Sequence, residues 1–342
     1  MPSMLNPSAE SAGSTCESRA ARKCRRHFFS FALISTHSVI VALPGPGPKA
    51  PRGVPPDQRL GYRARVSFAG DTSFLGPLVR SSGVAGRTFR TGEHESNTVL
   101  MPQNLFTGIK ATCYDSGSPE MWDPALLEAT AEFLAGLAHG GRALEFGIGT
   151  GRVAFPLSER GIEVHGIDIS ADMIEQLRRK PGSEAIEATV GDFATTTIAG
   201  DFSLVYVVYN SISNLLEQSE WVETFRNASR HLRPGGVFAM ELDVIDLRRF
   251  PPGAAVLPFD VSPNHVGFDT LDVVSQQGVS HHYVVVDGRG GHIESPFRYA
   301  WPAELDLMAE IAGMRLRERW ADWNRAPFTS ESRKHISVWE RP

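Results

Sequence analysis

Three acidic side chains stand at the ends of three successive expected strands, one just before a glycine turn, the edge at which an open α/β sheet binds ligands. Glu145 opens the run Glu145-Phe146-Gly147-Ile148-Gly149-Thr150-Gly151-Arg152, Asp168 follows Glu163–Ile167, and Asp192 lies in Gly191-Asp192-Phe193. Glycines let a backbone turn tightly and approach a ligand, and a helix N-terminus behind them favours negative charge. A carboxylate at the C-terminal end of a strand can accept from both hydroxyls of a ribose. Asp192 can accept from an exocyclic adenine amine while Phe193 supplies apolar cover. A dinucleotide fingerprint needs G-x-G-x-x-G. Here the third glycine position is Arg152, and the glycines run G-x-G-x-G after an acid.

The elements that must position these groups are legible around them. Asp123-Pro124 offers an N-cap with proline at the first helical position, and Leu126, Thr130, Phe133, Leu134 and Leu137 recur on one helical face up to Gly140-Gly141. Strands are expected at 143–146, 163–167, 188–190, 204–208 and 237–242. Helices are expected from Arg152 to Glu159, after the cap Ser170, and around Trp221–Leu232. Arg233-Pro234-Gly235-Gly236 reads as a helix stop and turn. Such alternation implies a parallel sheet covered on both faces. After residue 250 the rhythm becomes β-type, with a hairpin signal at Asp287-Gly288. A helix from Pro302 to Ala312 and strands near 314–320 and 335–340 close the chain.

The charge divides the sequence. Residues 1–100 hold 13 Lys or Arg against 6 Asp or Glu, a net of +7, whereas residues 101–342 carry −12 of the −5 total. The acidic bulk excludes a broad nucleic-acid footprint, which needs a basic face. Residues 1–100 are expected to form a disordered extension, with P-G-P-G-P at 44–48 as linker chemistry. Its apolar run 27–43 follows Arg22, Lys23, Arg25 and Arg26 in the order of a signal peptide. It holds two histidines and falls short of the ~20 apolar residues of a spanning helix. Met101 opens the part that looks folded. Cys16, Cys24 and Cys113 are too few for a disulfide framework and lack zinc-ligand spacing. A reducing cytoplasm, with no membrane association, is expected.

On E-F-G-I-G-T-G at 145–151, G-I-D-I-S at 166–170, G-D-F at 191–193 and L-R-P-G-G at 232–236, residues 114–342 resemble the class I S-adenosylmethionine-dependent methyltransferases. The resemblance implies an α/β fold: a Rossmann-like, seven-stranded, mostly parallel sheet whose last strand is antiparallel. A small antiparallel β insertion after the fifth strand, about 255–300, sits within a domain spanning 101–342. It implies S-adenosyl-L-methionine as cofactor. Glu145 with Gly147, Gly149 and Gly151 would hold its methionine part, Asp168 its ribose, and Ile169 and Met173 its adenine faces. Asp192 and Phe193 would hold the adenine edge, and Tyr209 would lie beside the methionine moiety.

Methyl transfer is an in-line displacement in which positioning does much of the work, and a base is needed only for a protonated acceptor. No metal-ligand cluster is seen for orienting a catechol. The methyl acceptor is expected to be an oxygen or nitrogen of a small metabolite, met by Tyr114 and Trp122 as a lid with Met121, and by Asn210 beyond the fourth strand. His281 and His282 must face opposite ways on a strand, so at most one can serve as base. Trp320 and Trp323 read as core aromatics. Two rival readings are a non-catalytic S-adenosylmethionine-binding sensor or partner subunit, and a nicotinamide oxidoreductase, the latter opposed by Arg152 and Asp192. A protein or nucleic-acid methyltransferase is opposed by Tyr209-Asn210-Ser211-Ile212, which lacks an N-P-P-Y signature.

Overall fold

A computed structural model describes residues 104–342, apart from 118 and 287. The readings made above for residues 1–100 lie outside the described residues. Five parallel strands form the frame: β1 (Ala143–Phe146), β2 (Val164–Asp168), β3 (Ile186–Val190), β4 (Phe202–Val207) and β5 (Leu232–Asp243). After the four strands β6–β9 of the insert, β10 (Arg315–Trp320) and β11 (Lys334–Glu340) complete a seven-stranded sheet of order β10-β11-β5-β4-β1-β2-β3. β11 runs antiparallel to both β5 and β10, as expected of the closing strand.

Helices cover both faces because the central strands are apolar on both. β1 and β4 are buried along their whole lengths. One face packs Phe146, Val205, Phe238 and Trp339 against Trp221 and Phe225 of α5 (Gln218–His231) and Leu305 and Met308 of α6 (Pro302–Ile311). The other packs Leu204, Tyr206 and Val237 against α2 (Pro124–Ala138), α3 (Ala154–Ser158) and α4 (Ala171–Arg178). A further helix, α1 (Ile109–Gly117), precedes them.

The caps act as the sequence indicates. Asp123 accepts from the N–H groups of Ala125 and Leu126, and Ser170 from that of Met173. Three boundaries differ. α2 stops at His139, whose φ of 47° is left-handed, one residue before Gly140. The helix expected over 152–159 is reduced to 154–158, because Gly151 is still in the turn at φ 82°. The L-R-P-G-G segment is drawn into the start of β5, where pairing with β4 shifts register between Phe202 and Leu204. Trp323 is buried edge-on against Phe133 at 5.4 Å, in the core as expected.

The insert is a four-stranded meander: β6 (Val256–Ser262), β7 (His265–Asp272), β8 (Gln277–Val286) and β9 (Arg289–Arg298). β8 and β9 pair from Gln277↔Arg298 to Val286↔Arg289, which fixes the hairpin at 287–288. The insert is moored by Arg298, which pairs with Glu304 at 2.5 Å and lies over the Trp221 ring at 4.9 Å. Gln276 also donates to Glu304 at 2.7 Å. Among the described residues no helix is long and apolar enough to cross a membrane. Cys113 is buried in α1.

Candidate active site

The C-terminal edge of the parallel strands opens into two neighbouring cavities. The first, about 790 Å³, is lined by Gly147, Gly149, Asp168, Ile169, Met173, Asp192, Phe193 and Tyr209, all expected there, and also by Tyr114. Gly147 and Gly149 hold φ of 74° and 54°, a backbone that side chains strain. A Cβ on Gly149 would meet Met173 at 3.2 Å, and one on Gly147 would meet Ser211 at 3.1 Å. Glycine therefore keeps the turn flat against the cavity.

Asp168 is fixed by the turn it faces. Gly149 N–H donates to its Oδ2 and Ser170 N–H to its Oδ1, each at 2.8 Å. Burial nonetheless pushes its carboxyl up to about 6, against the pull of those two donors. Each oxygen keeps acceptor capacity for a further donor. Asp192 accepts from Ala194 N–H at 2.8 Å, holding the loop after β3.

Glu145 lies at the foot of the glycine turn. It is buried behind the turn, outside the cavity lining, where Tyr206 O–H donates to its Oε2 at 2.9 Å. Burial pushes its carboxyl up to about 8. Gly151 also stays out of the lining, and a Cβ there would strike Phe155 at 2.7 Å. Arg152 is buried between these groups; it donates to the Met121 carbonyl at 3.2 Å and lies over the Tyr209 ring at 5.3 Å.

Of Tyr114, Met121 and Trp122, one side chain lines the first cavity. Tyr114 lines the cavity, edge-on to Phe106 at 5.7 Å, and burial pushes its phenol up to about 12. The segment before it is pinned to α4: Gly108 N–H donates to Asp172 at 2.6 Å, and Ser170 O–H donates to the Phe106 carbonyl. Trp122 lines neither cavity and lies under Lys180 Nζ at 4.7 Å.

The second cavity, about 640 Å³, lies between the sheet edge and the insert. Asn210, Ser213, Asn214, Asp243, Asp269, Ser280 and Tyr299 supply its polar groups, and Phe259 and Phe297 its aromatic walls. Asn214 lines both cavities, and Tyr209 and Asn210 divide between them. Both of these residues are left-handed, at φ 54° and 57°. Two consecutive non-glycine residues in that region store strain, which surrounding bonds must hold. Glu241 accepts from Tyr209 N–H at 3.0 Å. Asn210 donates to the Asp243 carboxyl at 3.0 Å and accepts from Asp243 N–H at 2.7 Å.

Strand alternation sends His282 inward and His281 outward, and neither lines a cavity. His282 ends a buried chain: Asp260 Oδ2 lies 2.5 Å from His265 Nδ1, and His265 Nε2 lies 3.1 Å from His282 Nδ1. Burial, with His265 beside it, pushes the His282 imidazole down to about 4. The second cavity is lined instead by Asp243 and Asp269. Asp243 was readable as one more strand-end acid, in Glu241-Leu242-Asp243. Asp269 carried no sequence signal, because its facing depends on the insert's register.

An open α/β sheet with a glycine turn, a ribose-type carboxylate and an apolar slot at one strand edge defines a nucleoside-cofactor enzyme. The family model described as methyltransferase domain matches residues 143–236. The solved CcbJ methyltransferase of Streptomyces caelestis is 35% identical, covering 68% of this chain and 95% of that one, with a TM-score of 0.60. The cypemycin N-terminal methyltransferase of a Streptomyces species is 29% identical over 205 residues, 59% of this chain and 84% of that protein. The fold is also that of CalS10 of Micromonospora echinaspora, solved with S-adenosylmethionine and described as an amino pentose methyltransferase. That chain is 20% identical, with 70% of this chain and 99% of that one covered and a TM-score of 0.52. The chain belongs to the class I S-adenosylmethionine-dependent methyltransferases. It is an enzyme of that class, and S-adenosyl-L-methionine is its cofactor.

The residues present fit that cofactor. The acceptor-only carboxylate of Asp168 suits a diol, and Ile169, Met173 and Phe193 form a slot for a flat base. The flat Gly147–Gly149 turn leaves the space that a Cβ would fill.

Proposed function

We propose that this enzyme methylates an amine nitrogen of a small metabolite held between the sheet edge and the insert. The observation that carries the reading is the pair of acidic side chains, Asp243 and Asp269, in a cavity that shares Asn214 with the cofactor cavity. Carboxyl groups together with Phe259, Phe297 and Tyr299 suit a cationic acceptor, through ion pairing and aromatic faces. The similar cypemycin enzyme, by its name, acts at an N-terminus, which is also an amine.

Bound in the first cavity, S-adenosyl-L-methionine supplies an electrophilic sulfonium methyl. The chain's own residues orient and deprotonate the acceptor. An ammonium must lose its proton before its nitrogen can attack. Asp269, 2% exposed and held by Ser280 O–H at 2.7 Å, is placed to accept that proton. Asn210, which lines the second cavity, is locked in place by its two bonds to Asp243. The insert covers the acceptor, which strengthens these charge interactions by excluding water.

The test is methyl transfer from radiolabelled cofactor to matched pairs of amines and hydroxyl analogues, with peptide N-termini in the panel. The reading expects transfer to amines and a loss of about 10²-fold or more in Asp269→Asn, with cofactor affinity retained. Transfer confined to hydroxyls would overturn it.

A further inference from the structure

The outer face of the insert carries a second constellation, turned away from the acceptor cavity. His281 on β8 pairs in register with Glu294 on β9. His292 lies two residues before Glu294 and so shares its face. One ligand atom from each of His281, His292 and Glu294 lies within 4.8 Å of the others. Glu294 Oε1 stands 3.5 Å from His281 Nδ1 and 3.7 Å from His292 Nε2.

The neighbours fix which nitrogens face inward. Thr270 Oγ1 lies 3.4 Å from the Val279 carbonyl and 3.2 Å from His281 Nε2. With its ring proton on Nε2, donated to Thr270, His281 presents the lone pair of Nδ1 toward the Glu294 carboxylate. The His292 ring is held by stacking on Tyr283 at 4.2 Å and lies parallel to the His281 ring at 5.8 Å, with 2° between their planes.

We propose that His281, His292 and Glu294 bind one divalent transition-metal ion of the zinc class. Two imidazoles and one carboxylate form a borderline donor set, which suits Zn²⁺ rather than Mg²⁺ or Ca²⁺. Metal–ligand bonds of 2.0–2.2 Å in a tetrahedron separate ligand atoms by about 3.3 Å. The two Glu294 distances are already close to that. The further approach falls mainly to Glu294, whose side chain is 58% exposed. Solvent access leaves a fourth position for water. Thr270 is the outer partner that orients His281, as metal-bound histidines require. The bound ion would join β8 to β9 behind Ser280 and Ser295, which line the acceptor cavity. The site stands independently of the amine reading.

Calorimetric titration of the untagged full-length chain with Zn²⁺, and of Co²⁺ with its d–d absorption followed, tests the site. One ion per chain is expected, lost in the His281→Ala/His292→Ala double variant and weakened ~10–100-fold in Thr270→Val. Far-ultraviolet circular dichroism and S-adenosylmethionine affinity report that the variants are folded. Failure of the parent chain to bind, with His281 simply protonated against Glu294, overturns the proposal. So does equal binding by the parent and the folded double variant.

Discussion

Asp168 shows how much one side chain can reveal. Its place at the end of β2 was legible because it is one of three acids at successive strand ends, one of them just before a glycine turn. In Asp168→Asn one oxygen becomes a donor, so a ribose contact is lost and Gly149 or Ser170 loses its acceptor. Hydrogen bonds to charged groups contribute about 1.5–3 kcal/mol each, so calorimetry should show S-adenosylmethionine affinity falling by ~10–100-fold. Glu145 was less legible: the motif marks it, but only the packing shows it buried against Tyr206. That burial has a pH signature. Its carboxyl rises from 4.5 to about 8 in the folded chain, so its stabilising contribution is complete below the unfolded value and is lost as pH rises through about 8. Asp168 also titrates higher, near 6, whereas His282 and His335 titrate low, near 4 and 3. Above the unfolded histidine range of about 6.5 the change in this set belongs to Glu145. Cofactor-free thermal unfolding should therefore show the parent losing stability between about pH 6.5 and 8, while Glu145→Gln stays flat there.

At the scale of elements, the segment 143–242 was readable because its strands are continuously apolar and its helices begin on caps. What escaped reading depended on neighbours distant in sequence. The left-handed pair Tyr209-Asn210 is held by Glu241 and Asp243, which β4–β5 adjacency brings alongside. The insert's period showed a sheet but not which face met the cavity, so the expectation fell on the histidines and passed over Asp269, which lines the second cavity. The glycine turn supplies the element's test. Gly147→Ala adds a Cβ 3.1 Å from Ser211 at a φ of 74°, and should destabilise the fold by about 1–2 kcal/mol while weakening cofactor binding. Gly166→Ala is a contrasting case. Its Cβ would lie 2.3 Å from Ile148 beneath the turn, so overpacking of about 1–3 kcal/mol should appear in chemical unfolding.

For the whole molecule, the described residues divide the work between two layers. The parallel sheet builds the cofactor cavity from its own strand ends, and the insert adds one wall of the acceptor cavity. The −12 charge carried by residues 101–342 fits a partner that is cationic rather than a nucleic acid. The two cavities meet where β4 ends, at Tyr209, Asn210 and Asn214, and the account requires the methyl group to cross there. A crystal structure with bound S-adenosylhomocysteine tests that requirement directly. The account predicts the ribose on Asp168, the adenine between Ile169, Met173 and Phe193, and the sulfur at the Tyr209–Asn214 junction, open toward Asp243 and Asp269. A sulfur directed away from the insert, with no path to that acidic cavity, would contradict it.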